Sequence, residues 1–220
     1  MKKGDKFCYH GIDFTYLGEE QGGALCVCSK IYYSEMKFSN NSNNGCNDWK
    51  TSYVRKRLHD DFEPRLNGED LIEFESDLTS DDGLKDYGTC KDKVFLLSCD
   101  LYRKYRAFMP KYDDYLWTLT PWSCIAGVAC TVRGVYPAGQ VYNYNASNAL
   151  GVAPACLFNP EIFKSASTEA GKLVIEDASK MNDEKVTLES LNRDIHELKQ
   201  NIEHEIAIIK DAIEYIKENV

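Results

Sequence analysis

The sequence predicts an α+β fold in which short antiparallel strands and two short helices precede one long C-terminal helix. Short alternating runs predict the strands, two capped segments with helical apolar spacing predict the short helices, and a heptad-like repeat predicts the last helix. A chain of 220 residues has room for one ordinary domain and an appendage. We therefore expect a folded domain over residues 1–160, a linker over 161–186 and an oligomerisation helix over 187–220.

The strands are predicted by alternation and by the turn residues between them. Lys6–Tyr9, Ile12–Leu17 and Ala24–Cys28 alternate and are separated by glycine-containing turns. The apolar run within Lys93–Ser98 predicts a buried strand, and Lys172–Ile175 predicts one last short strand. The N-terminal part of the chain is therefore expected to form a hairpin with a third strand.

Two short helices are predicted by N-cap residues that precede apolar residues at helical spacing. Thr51 or Ser52 caps the first helix, and Pro64 ends it. The acidic stretch 67–86 lacks the alternation of ligands and the closing Glu of a calcium-binding loop, so it predicts a solvated loop. Ser98 caps the second helix, whose expected core residues are Leu101, Tyr105 and Phe108.

The charge balance argues against two classes of partner. The chain has 26 basic and 35 acidic residues, a formal net charge of −9, and such a surface repels nucleic-acid backbones and anionic membranes. No apolar run approaches the roughly 20 residues of a membrane span, and the first residues lack the hydrophobic segment of a secretion signal. We expect no nucleic-acid partner, no membrane insertion and cytoplasmic synthesis, with the virion as the alternative final location.

The nine cysteines and four histidines give no metal or disulfide pattern. The cysteine count is odd, and no CxxC-type pair or group of histidines accompanies it. Free cysteine packs as a small apolar side chain. We therefore expect reduced thiols, no metal site and no cofactor.

The segment 116–157 is poor in charge. Its single charged side chain is Arg133, whereas charged residues make up 28% of the chain. Such a segment is either interior or a binding surface. Its alternation predicts two paired strands over residues 129–132 and 140–142, with turns at Arg133-Gly134 and Ala138-Gly139 between them.

The C-terminal segment has a seam of leucine and isoleucine at steps of three and four residues, which is the spacing of a coiled coil. A seam with polar residues elsewhere favours self-association, and isoleucine at both seam positions favours a trimer over a dimer. The alternative is a helix that folds back on its own domain. The seam residues are Leu188, Leu191, Ile195, Leu198, Ile202, Ile206, Ile209, Ile213 and Ile216.

Five motifs, taken in order, resemble a domain family that is common in gut Firmicutes and their phages. That family has a C-type lectin-like fold related to the scaffold of the formylglycine-generating enzymes, and the resemblance covers residues 4–160. This chain departs from the family motifs at two positions, where Leu119 and Ala153 replace an arginine that is common in the family. The motifs are Gly4–Phe7, Asn47–Arg55, Lys93–Ser98, Leu116–Pro121 and Gly151–Ala155.

Some members of this fold are the variable proteins of diversity-generating retroelements, in which adenine-directed mutagenesis changes surface codons. Residues 118–150 are similar to such a repertoire in their content of Tyr, Asn, Ser and small residues. The resemblance implies a binding face on a fixed frame, with Trp49 and Trp117 in the core. The expected ligand contacts are Thr118, Thr120, Trp122, Ser123, Tyr136, Tyr142, Asn143, Tyr144, Asn145 and Asn148.

The implied function is that of a non-enzymatic adhesin or receptor-binding protein of phage or prophage origin, which binds a protein or glycan on a bacterial surface. Tyrosine and tryptophan supply contact area, asparagine supplies adaptable hydrogen bonds, and several copies add avidity. One alternative is a structural or interaction subunit assembled through the C-terminal helix. Another is a formylglycine-generating-type enzyme, in which Cys124 and Cys130 would be the reactive pair.

The seam predicts a trimer in solution. Replacing Ile206 and Ile209 together by Asp is expected to give a monomer, because a carboxylate buried in a coiled-coil seam has no partner. Light scattering after size-exclusion chromatography measures the mass, with Lys210→Asp, which lies outside the seam, as the control. An unaltered chain that is itself monomeric would contradict the prediction.

Overall fold

The computed structural model describes residues 1–41, 45–164, 167–169 and 172–175, together with residue 199. Tertiary contacts divide the chain into two units, Met1–Ile175 and Glu176–Val220. Apart from residue 199, the predicted oligomerisation helix at 187–220 lies outside the described residues, so its seam and the trimer stay predictions. The described part is a mixed α+β structure of mostly strands with two short helices, as the sequence predicts.

Fifteen short strands are the main regular elements of the described residues. The three N-terminal strands fall where alternation predicts them, and the strand at Val94–Phe95 lies within the apolar run that predicts it. In chain order the strands are β1 Lys6–Tyr9, β2 Ile12–Glu20, β3 Gly23–Cys28, β4 Tyr33–Lys37, β5 Leu71–Ile72, β6 Phe74–Asp77, β7 Thr89–Asp92, β8 Val94–Phe95, β9 Leu116–Pro121, β10 Thr131–Val135, β11 Val141–Asn145, β12 Ala149–Val152, β13 Ala155–Phe158, β14 Ser167–Glu169 and β15 Lys172–Ile175.

These strands form two main sheets and one separate hairpin. The larger sheet has the order β14-β15-β1-β2-β3-β13-β5, and β8 also pairs with β13. The smaller sheet has the order β11-β10-β9-β12-β4, and β6 pairs with β7. Among the described strands, neighbours are antiparallel except for β1 with β15 and β9 with β12. The stretch expected as a linker therefore contributes β14 and β15 to the larger sheet.

The two α-helices begin at predicted caps. Helix α1 spans Tyr53–Arg57, and the Ser52 hydroxyl accepts a hydrogen bond from the Arg55 amide at 3.0 Å. The chain continues as a π-helical turn at Leu58–Phe62 and a 3-10 turn at Glu63–Arg65, which contains Pro64. Pro64 therefore ends the helical segment, as predicted.

Helix α2 spans Cys99–Tyr105, and the Ser98 hydroxyl accepts from the Leu101 amide at 3.1 Å. Tyr105 is buried as predicted, but the assignment of Phe108 to the core is wrong, since its side chain is 38% exposed. The reason is the 3-10 turn at Arg106–Phe108, which ends the α-helical spacing. The remaining 3-10 turns are Trp49–Thr51, Gly68–Asp70 and Pro160–Lys164.

The acidic stretch 67–86 is not the solvated loop that its composition predicts. Strand β5 pairs with β13, and β6 pairs with β7. Leu71, Phe74 and Leu78 are buried, and the Phe74 ring stacks on that of Phe95 with centroids 4.5 Å apart. Three widely spaced apolar residues therefore hold this stretch against the core while its carboxylates face solvent.

An aromatic series links the first helical segment to the smaller sheet. Phe38 lies between Trp49 and Trp117, with ring centroids 6.2 and 5.6 Å away. All three side chains are buried, so both tryptophans belong to the core as the sequence predicts. The Trp117 indole also donates a hydrogen bond to the Met36 carbonyl at 2.7 Å, which joins β9 to β4 across β12.

Asp92, the last residue of β7, is a buried carboxylate that holds the helical segment in place. It accepts hydrogen bonds from Trp49 Nε1 at 2.8 Å, Arg55 Nη2 at 2.7 Å and His59 Nε2 at 3.0 Å. Burial alone would raise the pKa of this carboxyl, but the bonds from His59, Arg55 and Trp49 lower the pKa of Asp92 to about 2. The same bond to Asp92 raises the pKa of His59.

Asp92→Asn is expected to lower the free energy of unfolding by about 3 kcal/mol at pH 6. Removing one partner of a buried ion pair costs about 3–5 kcal/mol. We expect the lower value because the Arg55 side chain is partly exposed to solvent. The folded pKa of Asp92 lies below the ordinary value of 3.8, so the contribution is present above that pH and is lost as pH falls towards 2.

Urea denaturation at pH 6 and pH 3 measures this difference, which is expected to be smaller at pH 3. The control is Asp100→Asn, since the Asp100 side chain is 93% exposed and its pairing with Arg103 contributes little. Equal losses for the two variants at pH 6 would contradict a special role of Asp92.

Candidate functional site

The predicted binding segment is built on β9, whose six residues are all buried. Strand β9 lies at the centre of the smaller sheet, and β10 and β11 form a hairpin that ends at the edge of that sheet. The predicted turn at Arg133-Gly134 is wrong, because both residues lie inside β10, where Arg133 pairs with Asn143 and Gly134 with Tyr142. The predicted turn at Ala138-Gly139 is confirmed, and there the Tyr136 amide donates to the Gln140 carbonyl.

Three predicted ligand contacts are buried and have structural partners. The Thr118 hydroxyl donates to the Arg133 carbonyl at 2.7 Å, and the Thr120 hydroxyl accepts from the Cys99 amide at 2.9 Å. Ser123 is 3% exposed. Thr118 and Thr120 are therefore corrected from ligand contacts to parts of the frame, because both faces of the central strand β9 are buried. Ser123 follows β9 and is corrected likewise, because its buried hydroxyl accepts a hydrogen bond from the Ile125 amide at 3.2 Å within the loop.

Four tyrosines form what we call the tyrosine patch, namely Tyr115, Tyr136, Tyr142 and Tyr144. The Tyr136 ring lies 4.4 Å from that of Tyr115 and 5.2 Å from that of Tyr142. Tyr144 lies 5.7 Å from Tyr115 and 6.2 Å from the buried Trp117. Tyr142 is 57% exposed, so the patch extends from the core to solvent. Burial raises the pKa of Tyr144 to about 12.

The loop between β9 and β10 carries what we call the loop patch, namely Trp122, Ile125 and Val128. Their side chains are exposed. Of these three, Ile125 and Val128 are missing from the sequence-based set, because an exposed apolar residue has no sequence signature that separates it from a core residue. The loop patch precedes β10, Tyr136 follows it, and Tyr142 and Tyr144 lie beside it on β11, opposite Gly134 and Val132.

Buried Asn47 fixes the loop that carries the loop patch. Its amide nitrogen Nδ2 donates to the carbonyls of Ser123 and Thr131 at 2.8 Å each, and its backbone amide donates to the Ala129 carbonyl at 3.1 Å. The Asn47 side-chain oxygen accepts from the Tyr87 hydroxyl at 2.8 Å. One fully bonded side chain therefore holds both ends of the loop.

The three predicted asparagines have different roles. Asn143 and Asn148 are exposed. Asn145 is half-buried, and its side-chain oxygen accepts from the Ser147 amide at 3.0 Å and from the Ser147 hydroxyl at 2.7 Å. Asn145 therefore shapes the turn between β11 and β12, whereas Asn143 and Asn148 are accessible to a ligand.

Arg133 pairs within the domain. Its guanidinium lies 3.5 Å from the Asp81 carboxylate, which also contacts Arg103 at 3.2 Å, and Arg133 donates to the Asn143 side chain. Asp81 belongs to the acidic stretch, far from Arg133 in sequence. The single charge of the segment is thus neutralised, and the exposed surface around β11 is polar and aromatic.

The structure gives no support to cysteine chemistry in the segment. All nine cysteines are free thiols; four are buried and five half-buried. Burial raises the pKa of Cys124, so its thiol is not activated as a thiolate at neutral pH. Within the described ranges, no group of three or more His, Cys, Asp and Glu side chains is placed to hold a metal ion.

Comparisons with protein-family models, with curated proteins and with solved structures found no match. The resemblance to the C-type lectin-like family is carried by the five sequence motifs. In the part of the chain that the structure describes, no helix is long and apolar enough to cross a membrane.

Gly134→Ala is expected to destabilise the domain by about 1–3 kcal/mol through overpacking. A methyl group at this position would lie 2.7 Å from the Tyr144 ring and 3.0 Å from the Leu116 carbonyl oxygen. Urea denaturation measures the loss. The control is Gly68→Ala, where the nearest atom is the flexible Lys93 ammonium at 3.4 Å. Equal midpoints for the two variants would show that the packing of Tyr144 on β10 is loose.

Proposed function

We propose that this protein is a non-enzymatic ligand-binding protein whose tyrosine patch and loop patch contact a protein or glycan on a bacterial surface. One observation carries the proposal. Among the described residues, six large hydrophobic side chains are exposed, and four of them, Trp122, Ile125, Val128 and Tyr142, lie between residues 122 and 142. Exposed apolar groups concentrated in one short segment are typical of interaction sites.

The rigid structure beneath these exposed side chains favours ligand binding. Strand β9 is buried along its length, and Asn47 bonds the loop at both ends. A rigid frame lowers the entropy lost when a ligand binds. Aromatic side chains and exposed asparagines such as Asn143 and Asn148 combine contact area with adaptable hydrogen bonds, as in antibody paratopes.

The proposal includes the family and the assembly that the sequence predicts. The five motifs over residues 4–160 support a C-type lectin-like domain, and the accessible Tyr and Asn residues in 118–150 suit a diversified face of phage or prophage origin. A trimer formed through the C-terminal seam would present three copies and add avidity. The final location is the virion or the cytoplasm.

Replacing Tyr142 or Trp122 by Ala is expected to weaken binding to intact Firmicutes cells at least tenfold, because central aromatic contacts carry much of the energy of an interface. Flow cytometry with the fluorescently labelled full-length protein, on a panel of strains, measures binding.

The matched control is Phe108→Ala. Phe108 and Trp122 have the same exposed fraction, 38%, but Phe108 lies outside the two patches. Unchanged binding of the Tyr142 and Trp122 variants, or an equal loss for the Phe108 variant, would contradict the proposal.

A further inference from the structure

A concave cleft of about 470 Å³ lies beside the tyrosine patch, at the turn between β10 and β11. Its volume lies within the roughly 300–1,000 Å³ of small-molecule sites. The side chains that matter here are those of Tyr102, Arg106, Lys111, Tyr112, Asp114 and Tyr136. Tyr136 belongs to both the cleft and the tyrosine patch, so a ligand held by the patch can extend into the cleft.

The aromatic walls of the cleft are fixed by hydrogen bonds. The Tyr102 hydroxyl donates to the Gly139 carbonyl at 3.0 Å, and the Tyr112 hydroxyl donates to the Cys28 carbonyl at 2.6 Å. The Tyr136 ring packs against two other rings of the patch. These rings are therefore preorganised, and a ligand pays little to order them.

The cleft also contains charged groups without ion-pair partners. Within the described residues, neither Arg106 nor Lys111 has a carboxylate within ion-pair distance, whereas Arg103 on α2 contacts both Asp81 and Asp100. Asp114 accepts from the Tyr115 amide at 2.7 Å, which leaves its second oxygen as an acceptor. The cleft thus offers cationic donors and an anionic acceptor at once.

We infer that this cleft binds a carboxylated sugar of the uronic-acid class. The Arg106 guanidinium suits a carboxylate through two parallel hydrogen bonds, the fixed tyrosine rings suit the C–H face of a sugar ring, and Asp114 accepts from sugar hydroxyls. A neutral sugar leaves Arg106 without a partner. An acidic peptide supplies the carboxylate and backbone N–H donors for Asp114, but it has no ring of C–H groups to stack on the tyrosines. The inference rests on the proposed function and names the ligand class of the tyrosine patch.

The test is isothermal titration of the full-length protein with the methyl glycosides of glucuronic and galacturonic acid. At least one is expected to bind at least tenfold more tightly than methyl glucoside and than triglutamate. Arg106→Gln is expected to remove this preference, because it removes the carboxylate partner. Arg103→Gln removes the same charge from α2 outside the cleft and is expected to leave binding unchanged.

Arg106 is exposed and has no ion pair among the described residues, so Arg106→Gln should keep the urea midpoint of the unaltered chain. Absence of uronide binding, equal binding of methyl glucoside or triglutamate, or equal losses for the two arginine variants would each overturn the inference. If cells are still bound through Tyr142 while uronides are not, the cleft assignment fails and the proposed function stands. If the Tyr142 dependence is also absent, both fail.

Discussion

The buried carboxylate of Asp92 is the interaction on which the arrangement of the domain depends. A buried charge is tolerated only when it is paired and hydrogen-bonded, and here the partners are Trp49, Arg55 and His59 from one helical segment. This requirement fixes the indole of Trp49. Phe38 packs between Trp49 and Trp117 of β9, so the position of the central strand follows from the same bond.

The candidate site continues this series of contacts. Trp117 contacts Tyr144, which leads through Tyr115 and Tyr136 to the exposed Tyr142. Close packing lets a shift at one ring displace the next. The domain therefore separates a frame, which buried hydrogen bonds such as those of Asp92 and Asn47 hold in place, from a small set of exposed side chains beside β10. That separation permits the exposed residues to change without cost to the fold.

The sequence predicts the two short helices and the first three strands, because their determinants are local, but it does not predict β4, β9, β12 or β13. Ser52 and Ser98 cap helices through bonds within one turn, and β1 to β3 follow from alternation. The site is predicted less well, because exposure depends on neighbours distant in sequence. Thr118 and Thr120 are of residue types that are common in binding faces, but they lie buried on the central strand β9. Arg133 forms an ion pair with Asp81, which lies in the acidic stretch 67–86. The composition of that stretch predicts a loop, so the sequence does not indicate that Asp81 is held near Arg133.

Sequencing this locus in many phage or bacterial isolates tests whether the exposed face is diversified. The account predicts that substitutions concentrate at the exposed positions and are absent from the buried ones within the same segment. The exposed positions are Trp122, Ile125, Val128, Tyr142, Asn143 and Asn148, and the buried ones are Trp117, Thr118, Thr120 and Ser123. A segment 118–150 as constant as residues 91–98, or equal variation at exposed and buried positions, would contradict a diversified binding face.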